Sequence, residues 1–184
     1  MYRILLGFGG NLKSATGTPA ETITAAIAHL PKAGVQVTSV SDFYQTSPVP
    51  ASDQPDFINA AAWASCRLDA VPLLQVLAQT ERHFGRQKAE RWSARTLDID
   101  LLAYGAAVLP DKTRWMSVVD SLDPAATLIE PVVPHPRLHR RGFVLAPLMD
   151  IAPDWVHPVL QVPVSTLYSQ LQAKGGLTGI KRQK

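Results

Sequence analysis

RQKAERWSARTLDIDLL, residues Arg86 to Leu102, turns from a cationic stretch into an apolar one that carries two acids. Arg86, Lys88, Arg91 and Arg95 surround Trp92, and Leu97, Ile99, Leu101 and Leu102 then frame Asp98 and Asp100. Read as a strand, LDIDLL sends both carboxylates to one face, about 6.6 Å apart along the chain, and Ile99 and Leu101 to the other. Two oxygen-donor acids on one rigid strand can hold divalent cations, and a basic loop beside them can hold phosphates that those cations bridge. The plainer reading is an edge strand with solvated acids. The four apolar neighbours oppose it and place the strand away from a sheet edge.

Upstream, Leu73, Val76, Leu77 and Phe84 recur at helical spacing between Pro72 and Phe84, with Gly85 suited to a left-handed cap and Glu81 leaning toward the buried side. From Phe57, alternation puts Phe57, Asn59, Ala61 and Trp63 on one strand face and Ile58, Ala60, Ala62 and Ala64 on the other. Phe57 and Asn59 offer stacking and in-plane hydrogen bonds to a flat heterocycle, the plainer use being a core phenylalanine and a turn-side asparagine. Val35 to Tyr44 reads as one strand leading into the proline-containing loop TSPVPASDQPD.

Thr18, Pro19 and Glu21 spell a capping box with proline at the first helical position, followed by Ile23, Ala26, Ile27 and Leu30 and stopped by Pro31 and Gly34. Tyr2 to Phe8 is a short buried strand. Gly7, Gly9 and Gly10 before Asn11 mark a turn with close backbone approach, and they form neither a Walker A loop nor a complete dinucleotide fingerprint. Strand, helix, strand, strand, helix, strand is the split β-α-β order. It predicts an α+β, ferredoxin-like α/β sandwich with a mainly antiparallel sheet and helices on one face.

Downstream, Gly105 to Pro134 shows no sustained period, a length that signals function, disorder or an insertion. PHPRLHRRGFVLAPLMDIAPDW then sets His135, Arg137, Arg140 and Arg141 directly before Gly142 and Phe143. Val164 to Leu171 reads as a short helix, and residues 175–184, GGLTGIKRQK, as a frayed tail.

A chain of 184 residues at 46% hydrophobic composition suffices for one domain with a core, spanning 1–184. A net charge of +3 and a pI near 9.2 suit an anionic ligand without marking a nucleic-acid surface. The single cysteine, Cys66, excludes an internal disulfide and a cysteine zinc cluster, and reads as a small buried hydrophobe in a reducing cytosol. No run approaches eighteen apolar residues and MYRILLGFGGN lacks a cleavage pattern, so a cytoplasmic protein with no membrane partner is expected.

GFGGNL, SDFYQTSPV, DQPDFINAA, the E-x-x-x-G-R segment from Glu81 to Arg86, RWSARTLDIDLL and PHPRLHRRGFVLAPLMDIAP occur in one order. In that order the chain closely resembles the 6-hydroxymethyl-7,8-dihydropterin pyrophosphokinase family over almost its whole length. The resemblance implies an ATP-dependent diphosphotransferase of folate biosynthesis that moves pyrophosphate from ATP to the pterin hydroxymethyl group and releases AMP. It implies that Asp98 and Asp100 bind two magnesium ions, that Phe57 and Phe143 sandwich the pterin, that Asn59 bonds its edge, and that Thr46 and Ser47 add loop contacts. Arg86 to Ala94 corresponds to the family's flexible loop and Arg95 follows it, and the resemblance implies Arg86, Lys88, Trp92 and Arg95 as catalytic residues. Glu81, Arg86, Trp92, Arg95, His135 and Arg141 fall on positions that contact ATP or lie near it. Gly10 stands where the family commonly has serine, Ser93 where it has glycine, and Lys88 where arginine is frequent. The partners implied are ATP and the pterin, with no nucleic acid and a monomeric chain.

Two other classes compete. A ferredoxin-like RNA-binding module would use the basic pI with Trp92 and Phe57 as stacking platforms, but Asp98 and Asp100 would repel phosphate unless a metal intervened. A metal-dependent nuclease would need further clustered acids or a poised lysine beside the acid pair.

Overall fold

In chain order the elements are β1 (Tyr2–Gly10), α1 (Pro19–His29), β2 (Val35–Val40), β3 (Phe43–Thr46), β4 (Phe57–Cys66), α2 (Ala70–His83), β5 (Asp98–Tyr104), α3 (Lys112–Val119), α4 (Gly142–Ile151), α5 (Val164–Ala173) and β6 (Lys181–Gln183). They come from a computed structural model that describes residues 1–48, 51–87, 93–119, 121 and 131–183.

β1 anchors the sheet because from Ile4 to Gly10 both of its faces are apolar or side-chainless. It pairs antiparallel with β4 on one side and β5 on the other, in the order β5-β1-β4-β3-β6, with β2 also paired to β4. This is the expected ferredoxin-like, mainly antiparallel α+β fold. Ile4, Leu6 and Phe8 face α1 and α2, where they meet Ile23, Leu30, Leu73, Leu77, Ile99 and Leu101. α1 begins as its sequence predicts: the Thr18 side chain accepts the Glu21 N–H and the Glu21 carboxylate accepts the Thr18 N–H at 2.7 Å. Cys66 is buried at the end of β4, and burial pushes its thiol up.

Four expectations need correction. Helices cover both sheet faces: α4 and α5 pack on the second, where Leu5, Trp63 and Leu102 meet Leu145, Leu148, Val164 and Leu167. Val35 to Tyr44 is two strands, broken because Ser41 turns aside to exchange hydrogen bonds with Ala61 through both its N–H and its Oγ, each at 2.9 Å. β5 is a terminal strand of the sheet, yet a covered one, since Glu81 takes the Ile99 N–H at 2.7 Å and the His135 N–H reaches the Leu102 carbonyl at 2.9 Å. Its apolar residues answer to that cover. The terminal segment read as a frayed tail carries β6, antiparallel to β3.

The stretch after Gly105 contains α3, started by Asp111, whose carboxylate accepts the Arg114 N–H at 2.9 Å. α3 carries Trp115, fully buried against Val119 and Val159, with its indole N–H donating to the Pro134 carbonyl at 2.6 Å. The Trp115 ring lies 5.2 Å from that of His157, which is fully buried with its Nε2 unpartnered. No helix among the described residues is long and apolar enough to cross a membrane.

Burial pulls the His157 imidazole down to about 4, assisted by neighbouring His139, itself pulled to about 4 by burial and Arg140. Between roughly pH 6.5 and 4 the unfolded chain therefore binds protons that the fold refuses, so stability falls as pH falls, by up to about 3 kcal/mol for a buried imidazole shifted this far. Glu81, which burial pushes up to about 7, and Asp98, which burial also pushes up, act in the opposite sense, favouring the fold as pH drops. His135, His139 and His157, all pulled down by burial, outnumber them. The melting temperature should fall between pH 7 and pH 4.5, and less steeply in His157→Gln; equal slopes would remove His157 from the account.

Candidate active site

Directly opposed residues of an antiparallel pair share a face. The register aligns Asn59 with Gly9 and Gly9 with Asp98, then Ala61 with Gly7 and Gly7 with Asp100. Asn59, Asp98 and Asp100 therefore point to the α4 and α5 side, separated by two residues without side chains. Gly7 and Gly9 lie inside β1 rather than in a turn, and together they make a flat floor. A Cβ on Gly9 would come 3.3 Å from the Asn59 Oδ1, and one on Gly7 3.3 Å from Leu102.

At the acid end, Asp98 meets Arg86 Nη1 at 2.6 Å through Oδ1 and Arg95 Nη1 at 3.1 Å through Oδ2. Asp100 Oδ2 lies 3.7 Å from Arg141 Nη1. Burial pushes the Asp98 carboxyl up, the Asp100 charge pushes it further, and Arg95 and Arg86 pull it back. Glu81 sits beneath, buried between strand and loop, its Oε1 paired with Arg86 while holding the Ile99 N–H. The structure thus places Glu81 as a support for β5 and Arg86.

His135 is held neutral, pulled down to about 3 by burial and by Arg141. Its Nδ1 accepts the Arg137 N–H at 3.1 Å, which leaves the ring proton on Nε2, and Nε2 lies 3.3 Å from Arg141 Nη1. Two donors facing each other form no bond between themselves. An anionic oxygen bridging both would satisfy them. Along the outer side of β5, Leu74, Leu101, Val132 and Val133 line a cleft with Asp100 and His135 at its polar part.

At the other end, Asn59 Nδ2 donates to Thr46 Oγ1 at 2.9 Å, and both residues are buried. Thr46 pairs with Phe57 in the β3–β4 register, and exposed Ser47 follows it. Phe57 and Phe143 are both half-buried, the first on the sheet and the second in the opening turn of α4 above it. The Arg141 guanidinium lies 5.5 Å from the centre of the Phe143 ring. Lys88 and Trp92 lie outside the described residues.

Asn11 was not singled out by the sequence. It is buried, its Oδ1 accepts the Arg95 N–H at 2.9 Å, and its Nδ2 donates to Gln54 Oε1 at 3.2 Å and to the Pro55 carbonyl at 3.1 Å. It joins the loop before Phe57 to the loop before Asp98. An asparagine after glycines is ordinary turn composition, so only tertiary contacts identify it.

Residues 5–153 match the family model for 7,8-dihydro-6-hydroxymethylpterin-pyrophosphokinase, HPPK. The chain belongs to this family. An enzyme of Pseudomonas aeruginosa named 2-amino-4-hydroxy-6-hydroxymethyldihydropteridine pyrophosphokinase is 32% identical over 185 residues, covering 99% of this chain and 97% of the relative. The Haemophilus influenzae protein of the same name is 31% identical, covering 88% and 89%, and that of Synechocystis sp. 36% identical, covering 84% and 68%. Among solved structures, Plasmodium falciparum HPPK-DHPS, wild type with STZ-DHP, shares the fold at a TM-score of 0.70 and 14% identity over 98% of this chain. The wild type with SDX-DHP gives 0.65 and 16% over 99%. The chain spans 46% and 47% of those two longer chains. Its HPPK match runs from β1 through α4 and ends before α5 and β6.

Proposed function

We propose that the chain transfers pyrophosphate from ATP to the hydroxymethyl group of 6-hydroxymethyl-7,8-dihydropterin and releases AMP, a step of folate biosynthesis. The observation that carries this reading is the row across the glycine floor: an amide beside an aromatic at one end, and two carboxylates ringed by arginines at the other. Such a row suits a flat heterocycle laid end to end with a triphosphate.

The pterin would lie between Phe57 and Phe143, with Asn59 and Thr46 at its edge and Ser47 at the loop. Asn59 is held in orientation by Thr46 before any ligand arrives, so little ordering is left to do on binding. The adenine would enter the cleft on the outer side of β5, against Leu74, Leu101, Val132 and Val133. His135 Nε2 and Arg141, two donors facing one point, would hold a phosphate oxygen between them. Arg86 and Arg95, already gathered at Asp98, would meet the remaining phosphates, with Lys88 and Trp92 completing the loop.

Asp98 and Asp100 fit magnesium, which takes one or two carboxylates and completes its shell with phosphate oxygens and water. Among the described residues no third acid, histidine or cysteine joins them, so substrate oxygens must supply the other positions. Bound there, two ions would neutralise triphosphate charge and make the β-phosphorus more electrophilic. The protein's part is alignment. The pterin oxygen is brought in line with the β-phosphorus, AMP leaves toward the arginines, and no side chain is assigned as a base, because phosphoryl transfer depends chiefly on positioning and charge.

The reading includes a monomeric chain and a cytoplasmic location, the latter in keeping with the free, buried thiol of Cys66. The RNA-binding alternative finds no support in the comparisons. Mixing the protein with ATP, magnesium and the reduced pterin alcohol should yield AMP in step with pterin pyrophosphate. ADP as the product would refute the assignment.

A further inference from the structure

The terminal segment that follows α5 lies beyond the family match and touches both walls of the slot assigned above to the pterin. Arg182 Nε meets Asp42 Oδ2 at 2.6 Å, immediately before β3, and its Nη2 lies 3.5 Å from Asp150 Oδ1 near the end of α4. Asp150 is itself tied to the sheet, accepting the Tyr44 hydroxyl at 3.0 Å and the Asp42 N–H at 3.1 Å. β6 pairs Lys181, Arg182 and Gln183 with Gln45, Tyr44 and Phe43. Gln183 donates to Gln45 at 2.9 Å, and Gln45 donates to Asp56 at 2.8 Å, the residue before Phe57. At the other wall the segment rests on Gly142, where an added Cβ would stand 2.5 Å from the Gly176 carbonyl and 2.7 Å from Ile180. Gly142 precedes Phe143.

We propose that residues 175–183 form a brace that fixes the distance between the sheet, which carries Thr46, Phe57 and Asn59, and α4, which carries Phe143. The proposal rests on the pterin reading and deepens it. A ring stacked on both faces needs a gap of roughly 7–8 Å, twice a carbon contact distance, and tolerates little drift. α4 is joined to the sheet at its far end by Asp150 and Trp63, whose indole N–H donates to the Ile151 carbonyl at 2.9 Å. At the end bearing Phe143 the contact to α4 comes from Gly176 and Ile180, and Arg182 with β6 ties the segment that carries them to Asp42 and β3. Arg182 is therefore a positioning residue for pterin binding and touches no substrate. A segment that merely covered the β3 edge would change stability and leave the two substrates equally affected.

The test uses the full chain, Arg182→Ala, Arg182→Lys and a variant ending at Ile180. For each, KM for pterin and for ATP is measured with magnesium, together with the pterin Kd by calorimetry, which needs no turnover. Arg182→Ala should raise KM and Kd for pterin about fivefold while KM for ATP stays within about twofold, because a slot held open only part of the time weakens apparent binding by that fraction. Loss of β6 should raise them further, and lysine should recover part of the loss. Equal movement of both KM values, or a lower melting temperature with unchanged pterin binding, overturns the brace. If the unaltered chain binds pterin without forming AMP, the reaction assignment falls and the Kd series still decides the brace. If it binds no pterin, both fall.

Discussion

Asp98→Ala is expected to reduce AMP formation by about a thousandfold or more, the scale on which phosphoryl-transfer sites depend on a metal-positioning carboxylate. Asp98 is the most heavily engaged group of the site: Arg86 holds one oxygen at 2.6 Å and Arg95 the other at 3.1 Å, whereas Asp100 has one arginine at 3.7 Å. Removing it takes away a hard oxygen donor and leaves two guanidinium groups drawn to a place that no longer holds a charge. Arg86 keeps Glu81 as partner, so the loop should stay docked and the melting temperature should change little. Asp98→Asn preserves shape without charge and should lose nearly as much. Activity of either variant within tenfold of the parent would remove Asp98 from the reaction.

Gly10→Ser is expected to lower kcat/KM by about a hundredfold, the cost of moving a catalytic group by about 1 Å. A Cβ at position 10 would stand 2.5 Å from the Thr96 carbonyl oxygen and 3.2 Å from its carbon. Both are backbone atoms, and no rotamer change relieves the contact. The residue before Thr96 is Arg95, whose carbonyl accepts the Asn11 and Leu12 N–H groups at 2.9 and 3.1 Å, so a displaced Thr96 strains the joint that sets Arg95 against Asp98. An unimpaired Gly10→Ser enzyme would mean that this passage yields without disturbing Arg95.

The acid pair and the capping box were legible in the sequence because each depends on spacing within a few residues: LDIDLL alternates, and Thr18 meets Glu21 one turn later. The cover over β5 was not, because Glu81 and His135 reach it from distant parts of the chain. α4 escaped notice because Val144 to Leu148 are all buried, which leaves no stripe for a period to show. α3 is too short to establish one. β6 is exposed and charged, with pairing made by the β3 backbone and by Asp42, both more than a hundred residues earlier. Gly7 and Gly9 resemble a turn until the register lays them between Asn59 and the two aspartates, and the same three strands then give the site its floor.

The sealed position of Cys66 has a practical side. A thiol 1% exposed and shifted toward its protonated form reacts slowly with alkylating dyes. A second cysteine placed at exposed Gln87 would then be labelled alone, giving a fluorescent reporter at the entrance of the arginine loop without first stripping the native sulfur from the protein.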